Sequence, residues 1–193
     1  MKKSGLILLL IVCLLFSGCS YPKKTNDYNE YMNYVYDVHR ALEYMPTLNE
    51  LGDYTKITAT RNTTNNFVIF VDTVTIALFL EYDEDAYNKQ LEYINENYSF
   101  FEESPDLNYL DIDAKVNGYD IKTVIDETAL QYIDPYSYSY GKDDTWYHDV
   151  VQTALMIGFN DVDNKICYLY RSNTSLDVLD DLESHIKECF YMV

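Results

Sequence analysis

No stretch of this sequence is apolar for long enough to cross a bilayer. The longest such run, Leu6 to Phe16, falls short of the about 20 residues a spanning helix needs. Basic residues are scarce, with 14 Lys and Arg against 32 Asp and Glu and a formal net charge of −18. That balance excludes nucleic acid as a partner, because its binders present a basic face. Histidine occurs three times, at His39, His148 and His185, and no motif sets any of them beside a nucleophile. Of the four cysteines, none forms CxxC or a Cys/His cluster with zinc spacing, so no metal site is expected. A Gly-rich phosphate loop, HExxH and G-x-S-x-G are all missing, which leaves no motif for a cofactor or a catalytic residue.

What is there begins with Lys2 and Lys3, the apolar run, the small residues Ser17 and Gly18, and then Cys19. A basic start, a short greasy middle and a small-residue cleavage site make a secretory signal. Phe16-Ser17-Gly18-Cys19 resembles the lipobox of bacterial lipoproteins, with Phe16 where leucine is usual. The resemblance implies that residues 1–18 are removed and that Cys19 is joined to diacylglycerol as the mature N-terminus. It also implies residence on the outer face of the bacterial cytoplasmic membrane. The alternative is an ordinary cleaved signal in which Cys19 is incidental. The whole arrangement, with MPTLNELGDY before the first expected strand and EYDEDAYNKQ after the third, also loosely resembles lipoproteins of Gram-positive bacteria. No activity travels with that likeness.

Cleavage leaves 175 of the 193 residues, enough for one domain with its own core. It also removes Lys2 and Lys3, leaving 12 basic against 32 acidic residues, a net charge of −20. So acidic a domain is repelled by anionic lipid and needs the acyl chains to hold it. Residues 19–26 read as the lipidated cysteine and a polar linker containing Pro22, and residues 27–193 as a single extracytoplasmic domain.

The expected fold is α+β, an antiparallel sheet of about six or seven strands with three helices packed mainly on one face. Tyr28, Tyr31, Val35, Val38, Leu42 and Met45 recur at helical spacing and predict a helix from Tyr28 to Met45, capped by Asp27 and stopped by Pro46. Leu48 to Gly52 reads as one further helical turn closed by glycine. Strands follow at 56–61, 67–71 and 74–82, separated by turn-like Asn62–Asn66 and Asp72-Thr73. Asp83 caps a second helix with the stripe Tyr87, Leu91, Ile94 and Tyr98. Strands at 109–116 and 119–126 flank Asn117-Gly118, a type I′ hairpin signal. Two more, at 150–159 and 165–170, flank a turn at 160–164, and a third helix, striped by Leu176, Leu179, Leu182, Ile186 and Cys189, runs from about Ser175 to the end. The segments beginning at Thr75 and Lys165 share one plan, a returning strand followed by an amphipathic helix ending in Phe.

Tyrosine is abundant, 21 residues in all, and suits half-buried positions because it joins an apolar body to a polar tip. An irregular stretch carries Tyr132, Tyr136, Tyr138, Tyr140, Trp146 and Tyr147; exposed, these would stack on a sugar or anchor a protein interface, and buried they would line the sheet. Acid pairs occur at Asp111/Asp113, Asp143/Asp144 and Asp161/Asp163, each also explained as a wet strand face or a turn. Cys167 and Cys189 are the pair left once Cys19 is lipidated. An oxidising location permits a disulfide between them, while two buried thiols would serve as small apolar residues. The expected function is therefore a lipid-anchored binding or interaction module, held to the membrane through Cys19 and meeting a protein or cell-wall partner. The alternative is a cell-envelope hydrolase that uses paired carboxylates.

Overall fold

The computed structural model describes residues 19–20, 22–38, 41–66, 71–100, 114–124, 152–173 and 189–190. In chain order these form β1 (Cys19–Ser20), β2 (Lys23–Thr25), α1 (Tyr28–Tyr36), α2 (Ala41–Tyr44), a 3-10 turn (Leu48–Glu50), β3 (Tyr54–Asn66), β4 (Val71–Tyr82), α3 (Glu84–Asn97), β5 (Ala114–Val116), β6 (Tyr119–Thr123), β7 (Gln152–Asn160) and β8 (Lys165–Asn173). The protein is α+β. Six main strands form one antiparallel sheet in the order β3-β4-β8-β7-β6-β5, and β1 and β2 both pair along the outer edge of β3.

The helices begin where the sequence supplies caps. Asp27 Oδ1 accepts from the Glu30 N–H at 3.0 Å and starts α1; Asp83 Oδ1 accepts from the Ala86 N–H at 2.8 Å and starts α3. Each cap occupies one of the donors a helix N-terminus otherwise leaves unpaired. The expected single helix to Met45 is broken, because Asp37 ends α1 and the chain resumes as α2 at Ala41. The break changes the phase, so Ala41 takes the buried place and Leu42, expected on the stripe, is 48% exposed. Gly52 closes the 3-10 turn with φ of +62°, and Asn117 and Gly118 both have positive φ, as a type I′ hairpin requires.

Two expected turns prove to be strand. Asn62–Asn66 continues β3 and Asp72-Thr73 lies inside β4, with Asn62 opposite Thr75, Thr63 opposite Val74 and Asn65 opposite Asp72. Polar composition suggested a turn, but a ladder partner for every residue outweighs composition. The expected linker is corrected in the same way: Cys19 pairs with Asn65, Ser20 with Thr64, and Lys23 to Thr25 with Arg61 to Ala59. An edge strand offers a row of unpaired N–H and C=O groups, and this segment takes them up. Pro22, which has no N–H to give, lies between the two paired pieces. The expected strand 67–71 falls, except for Val71, outside the described residues, as do most of the strand 109–116 and of the C-terminal helix.

The sheet is covered on both faces. Ile57, Ile76, Leu78, Leu80, Ile166, Tyr168 and Tyr170 meet Tyr31 and Val35 of α1 and Tyr87 and Ile94 of α3. On the opposite face Ala77, Phe79, Tyr119, Met156, Cys167 and Leu169 form a smaller cluster with Cys189 and Phe190. The expected cover on one face holds for α1, α2 and α3; the described end of the C-terminal segment lies against the other.

Tyrosine hydroxyls tie the 46–51 loop onto the first cluster. Tyr31 Oη donates to the Pro46 carbonyl and Tyr82 Oη to the Leu51 carbonyl, both at 2.9 Å. Buried Gln90 Nε2 donates to the Glu50 carbonyl at 2.7 Å and to Tyr168 Oη at 3.0 Å. Burial raises these phenols. Tyr31, Tyr82 and Tyr168 lie well above the ordinary value, and Tyr98, pushed first by burial and then by Glu50 and Tyr93, rises to about 12. A raised phenol holds its proton longer in the folded chain than in the unfolded one, so above the unfolded value the unfolded state is favoured. Denaturation midpoints measured against pH should stay level with respect to these groups below about pH 10 and fall steadily above it, with Tyr98 contributing up to about 12.

Candidate functional site

Strand alternation brings one row of charges to the end of the second face. Lys56 stands opposite Glu81 on the β3–β4 ladder, Glu81 opposite Lys165 on β4–β8, and Lys165 opposite Asn160 on β8–β7. Opposite charges directly across a ladder are favourable neighbours. Lys56 Nζ reaches Glu81 Oε1 at 2.8 Å, and Lys165 Nζ lies 3.7 Å from Asp163 Oδ2. Two residues inward, the next row on the same face runs Thr58, Phe79, Cys167, Gly158.

Between these rows lies a recess of about 200 Å³. Lys56, Glu81, Lys165 and Asn117 form its rim, and Phe79, Tyr119 and Phe190 form its floor. The three rings pack on one another, with centroids 5.1 Å apart for Phe79–Phe190 and Tyr119–Phe190 and 6.2 Å for Phe79–Tyr119. Burial, and then Cys167, Glu81 and Asp163, push the Tyr119 hydroxyl well above a phenol's ordinary value, so it stays neutral. The wall is braced by Asn160, whose Oδ1 accepts from the Asp163 N–H at 3.1 Å and whose Nδ2 donates to Asp163 Oδ2 at 3.2 Å. Asn160 Nδ2 also sits 3.1 Å from where a side chain on Gly118 would begin, so glycine there serves both the turn and the close approach. Chemically, the recess offers ammonium groups at its mouth and an apolar aromatic floor, a combination that suits a small group bearing a carboxylate.

The acid pairs do not assemble a hydrolytic centre among the described residues. Asp161 Oδ1 accepts from Tyr87 Oη of α3 at 2.5 Å and Asp163 is engaged by Asn160 and Lys165, so Asp161 ties the turn to the helix and Asp163 serves the turn itself. The described residues hold no cluster of three His, Cys, Asp or Glu able to bind a metal. Asp111, Asp113, Asp143, Asp144 and the three histidines lie outside the described residues, as do Tyr132, Tyr136, Tyr138, Tyr140, Trp146 and Tyr147. Cys19 is described as part of β1. The recess itself was missed in the sequence because its rim joins residues 56, 81 and 165, too far apart for any local motif. The usable signal was a charge at one end of each apolar strand, in phase with the same face.

Cys167 and Cys189 are both in the thiol form, with no disulfide, and both are buried in the second cluster. Cys167 faces Cys189 and Phe190 together with Leu169, the orientation a disulfide would need, yet no disulfide joins the two sulfurs. Burial, offset in part by a hydrogen bond to the Gly158 backbone, pushes the Cys167 thiol far above its ordinary value, which keeps it from acting as a nucleophile. Comparison with protein-family models, with curated proteins and with solved structures found no match.

Two outcomes follow from this packing. Alkylation in denaturant without reductant should add a label to each of Cys167 and Cys189 by mass spectrometry, whereas the native protein should leave both unmodified. A Cβ at position 158 would lie 2.6 Å from Cys167 Sγ and 3.2 Å from Ile121 Cγ1, so Gly158→Ala should lower stability by about 1–3 kcal/mol in a urea titration, the usual cost of overpacking.

Proposed function

We propose that the protein is a lipid-anchored binding module on the outer face of the bacterial cytoplasmic membrane, and that the recess on the second face of its sheet takes a small carboxylate-bearing group with an apolar body. The single observation that carries the binding reading is the placement of Lys56 and Lys165 on either side of Glu81, above the Phe79, Tyr119 and Phe190 floor. In a chain with only 14 basic residues, two of them guard one concavity. Their present partners are weak competitors. Lys56 and Glu81 are 60% and 38% exposed, and ion pairs in that setting are worth no more than about 1 kcal/mol. A ligand carboxylate can therefore share or displace Glu81 at little cost, since an ammonium has three donors to distribute. The aromatic floor supplies apolar contact and fixes the orientation of the ligand body. The size of the recess suits one amino-acid-sized group, below the about 300 Å³ at which drug-sized ligand sites begin.

The anchor is supported by the lipobox-like Phe16-Ser17-Gly18-Cys19 at the end of a short apolar run. The helices of the described residues give no alternative, as none is long and apolar enough to cross a membrane. The partner would be a cell-wall component or a protein terminus that presents a free carboxylate.

N-acetylphenylalanine is a suitable probe for the recess. Titrated into the mature domain, it should shift the NMR signals of Lys56, Tyr119 and Phe190, and Lys56→Ala or Lys165→Ala should each weaken binding by about threefold, the effect of an exposed ion pair worth ~0.7 kcal/mol. Shifts confined to other residues, or affinity unchanged in both variants, would remove this site. For the anchor, Cys19→Ala should release the protein from the membrane fraction and abolish a diacylglycerol mass on the N-terminal peptide.

A further inference from the structure

We infer that the domain stands on the bilayer by the end of the sheet that carries Cys19, with anionic lipid head groups as the surface it meets and the recess held at the opposite end. The inference rests on the reading of Cys19 as the lipid attachment point. Given that reading, three features of the fold set the orientation.

The first is the absence of slack. Cys19 is opposite Asn65 and Ser20 opposite Thr64, so the lipidated residue is itself a rung of the ladder. Lys23 to Thr25 then continue along the same edge. An anchor attached to a free tether leaves a domain to tumble, while an anchor built into the sheet carries the sheet's direction with it.

The second is distance. Lys56, on the rim of the recess, lies nine positions before Asn65 on β3. At about 3.3 Å per residue the two ends are roughly 30 Å apart. The recess therefore points away from the lipid, towards whatever lies beyond the membrane.

The third is charge, among the described residues. Midway along this edge, four and five rungs from Asn65, β2 and β3 carry exposed Lys23 and Lys24 and the partly exposed Arg61. Acids at that level include Asp37, paired with Arg61 at 3.0 Å, and exposed Glu43 on α2, whose neighbour Tyr44 packs on Tyr170 in the same cross-strand row as Arg61. At the other end are Glu81, Asp83, Glu84, Asp85, Asp161 and Asp163, against Lys56 and Lys165. Anionic lipid attracts basic side chains by about 1 kcal/mol each within a Debye length and repels acids over the same range. The field of the membrane thus adds to the direction set by the ladder. Tyr36, at the C-terminal end of α1 next to Asp37, is 66% exposed and lies between the recess end and the Cys19 end of the sheet.

The test uses the full-length, processed protein purified from membranes and reconstituted in vesicles of phosphatidylglycerol and phosphatidylcholine. Fluorophores are placed through Tyr36→Cys and, separately, Val162→Cys, the second being 92% exposed in the turn between β7 and β8; wild-type protein carried through the same labelling shows that the buried thiols stay unmodified. Asn33→Cys, also on the exposed side of α1, replaces the first site if Tyr36→Cys does not fold. Lipid carrying a quencher on its head group should quench the α1 label several-fold more than the Val162→Cys label. Equal quenching, or stronger quenching at position 162, in protein whose Cys19 peptide carries diacylglycerol overturns the orientation and leaves the anchor standing. A Cys19 peptide without diacylglycerol overturns the anchor and the orientation together, and the peptide mass tells the two failures apart.

Discussion

The pairing of β4 with β8 at the centre of the sheet is the constraint on which the rest depends. Both strands are apolar on both faces. Ile76, Leu78 and Leu80 of β4 and Ile166, Tyr168 and Tyr170 of β8 turn one way, while Ala77, Phe79, Cys167 and Leu169 turn the other. A strand of this kind has no side it can leave wet. One cover is therefore insufficient, and the described residues supply helices to one face and Cys189 and Phe190 to the other. The two covers differ in chemistry. The first face uses tyrosine, whose ring fills the layer while its hydroxyl reaches out to a loop carbonyl, as Tyr31 and Tyr82 do. The second face uses small residues where the layer is thin: Gly158 exists because Cys167 Sγ lies over it.

The parts of the fold that were legible in the sequence are those with a local cause. Asp27 and Asp83 announce helices because a cap acts on the N–H three residues on. Asn117-Gly118 announces a hairpin because two positive φ values are needed in succession. What escaped the sequence has a distant cause. Asn62 to Asn66 has the composition of a turn and becomes strand only because Val71 to Thr75 lies opposite. Ser20 and Lys23 to Thr25 read as a tether and become edge because β3 has hydrogen-bonding groups to satisfy. Leu42 falls off its stripe because Asp37 ends α1 and shifts the phase. The shared plan of the Thr75 and Lys165 segments was legible as far as the strands, since Ile76 with Ile166 and Ala77 with Cys167 keep the same faces. It failed at the cover: Phe100 packs on Phe159 at the first face, and Phe190 on Phe79 at the second.

The candidate site follows the same rule. A catalytic motif is recognised by spacing along the chain, and this site has none, because Lys56, Glu81 and Lys165 become neighbours through two ladders. Each residue alone looks like an ordinary charge at a strand end. Only the register, which places all three in one row on one face, turns them into the mouth of a recess. The candidates that could be named from sequence, Asp161 and Asp163, are instead engaged structurally, Asp161 by Tyr87 of α3 and Asp163 by the turn it occupies. Their role is still felt at the site, because Asp163 is held by Asn160 and in turn restrains Lys165.

The edges of the sheet narrow the ways in which a partner can be met. Many β proteins bind peptides by adding a strand to an exposed edge, where main-chain hydrogen bonds supply the affinity. Here the outer side of β3 is already taken by β1 and β2 over five of its residues. The filled positions lie at Asn65, Thr64 and Arg61 to Ala59, which leaves Thr58 to Tyr54 uncovered by them, next to the recess. A strand added there would have to pass Lys56, whose ammonium reaches across the ladder to Glu81. The described part of β5 at the opposite edge is Ala114–Val116. Recognition by backbone is thus blunted along the β3 edge, and recognition by side chains, at the lysine rim and its aromatic floor, is the mode left open beside it.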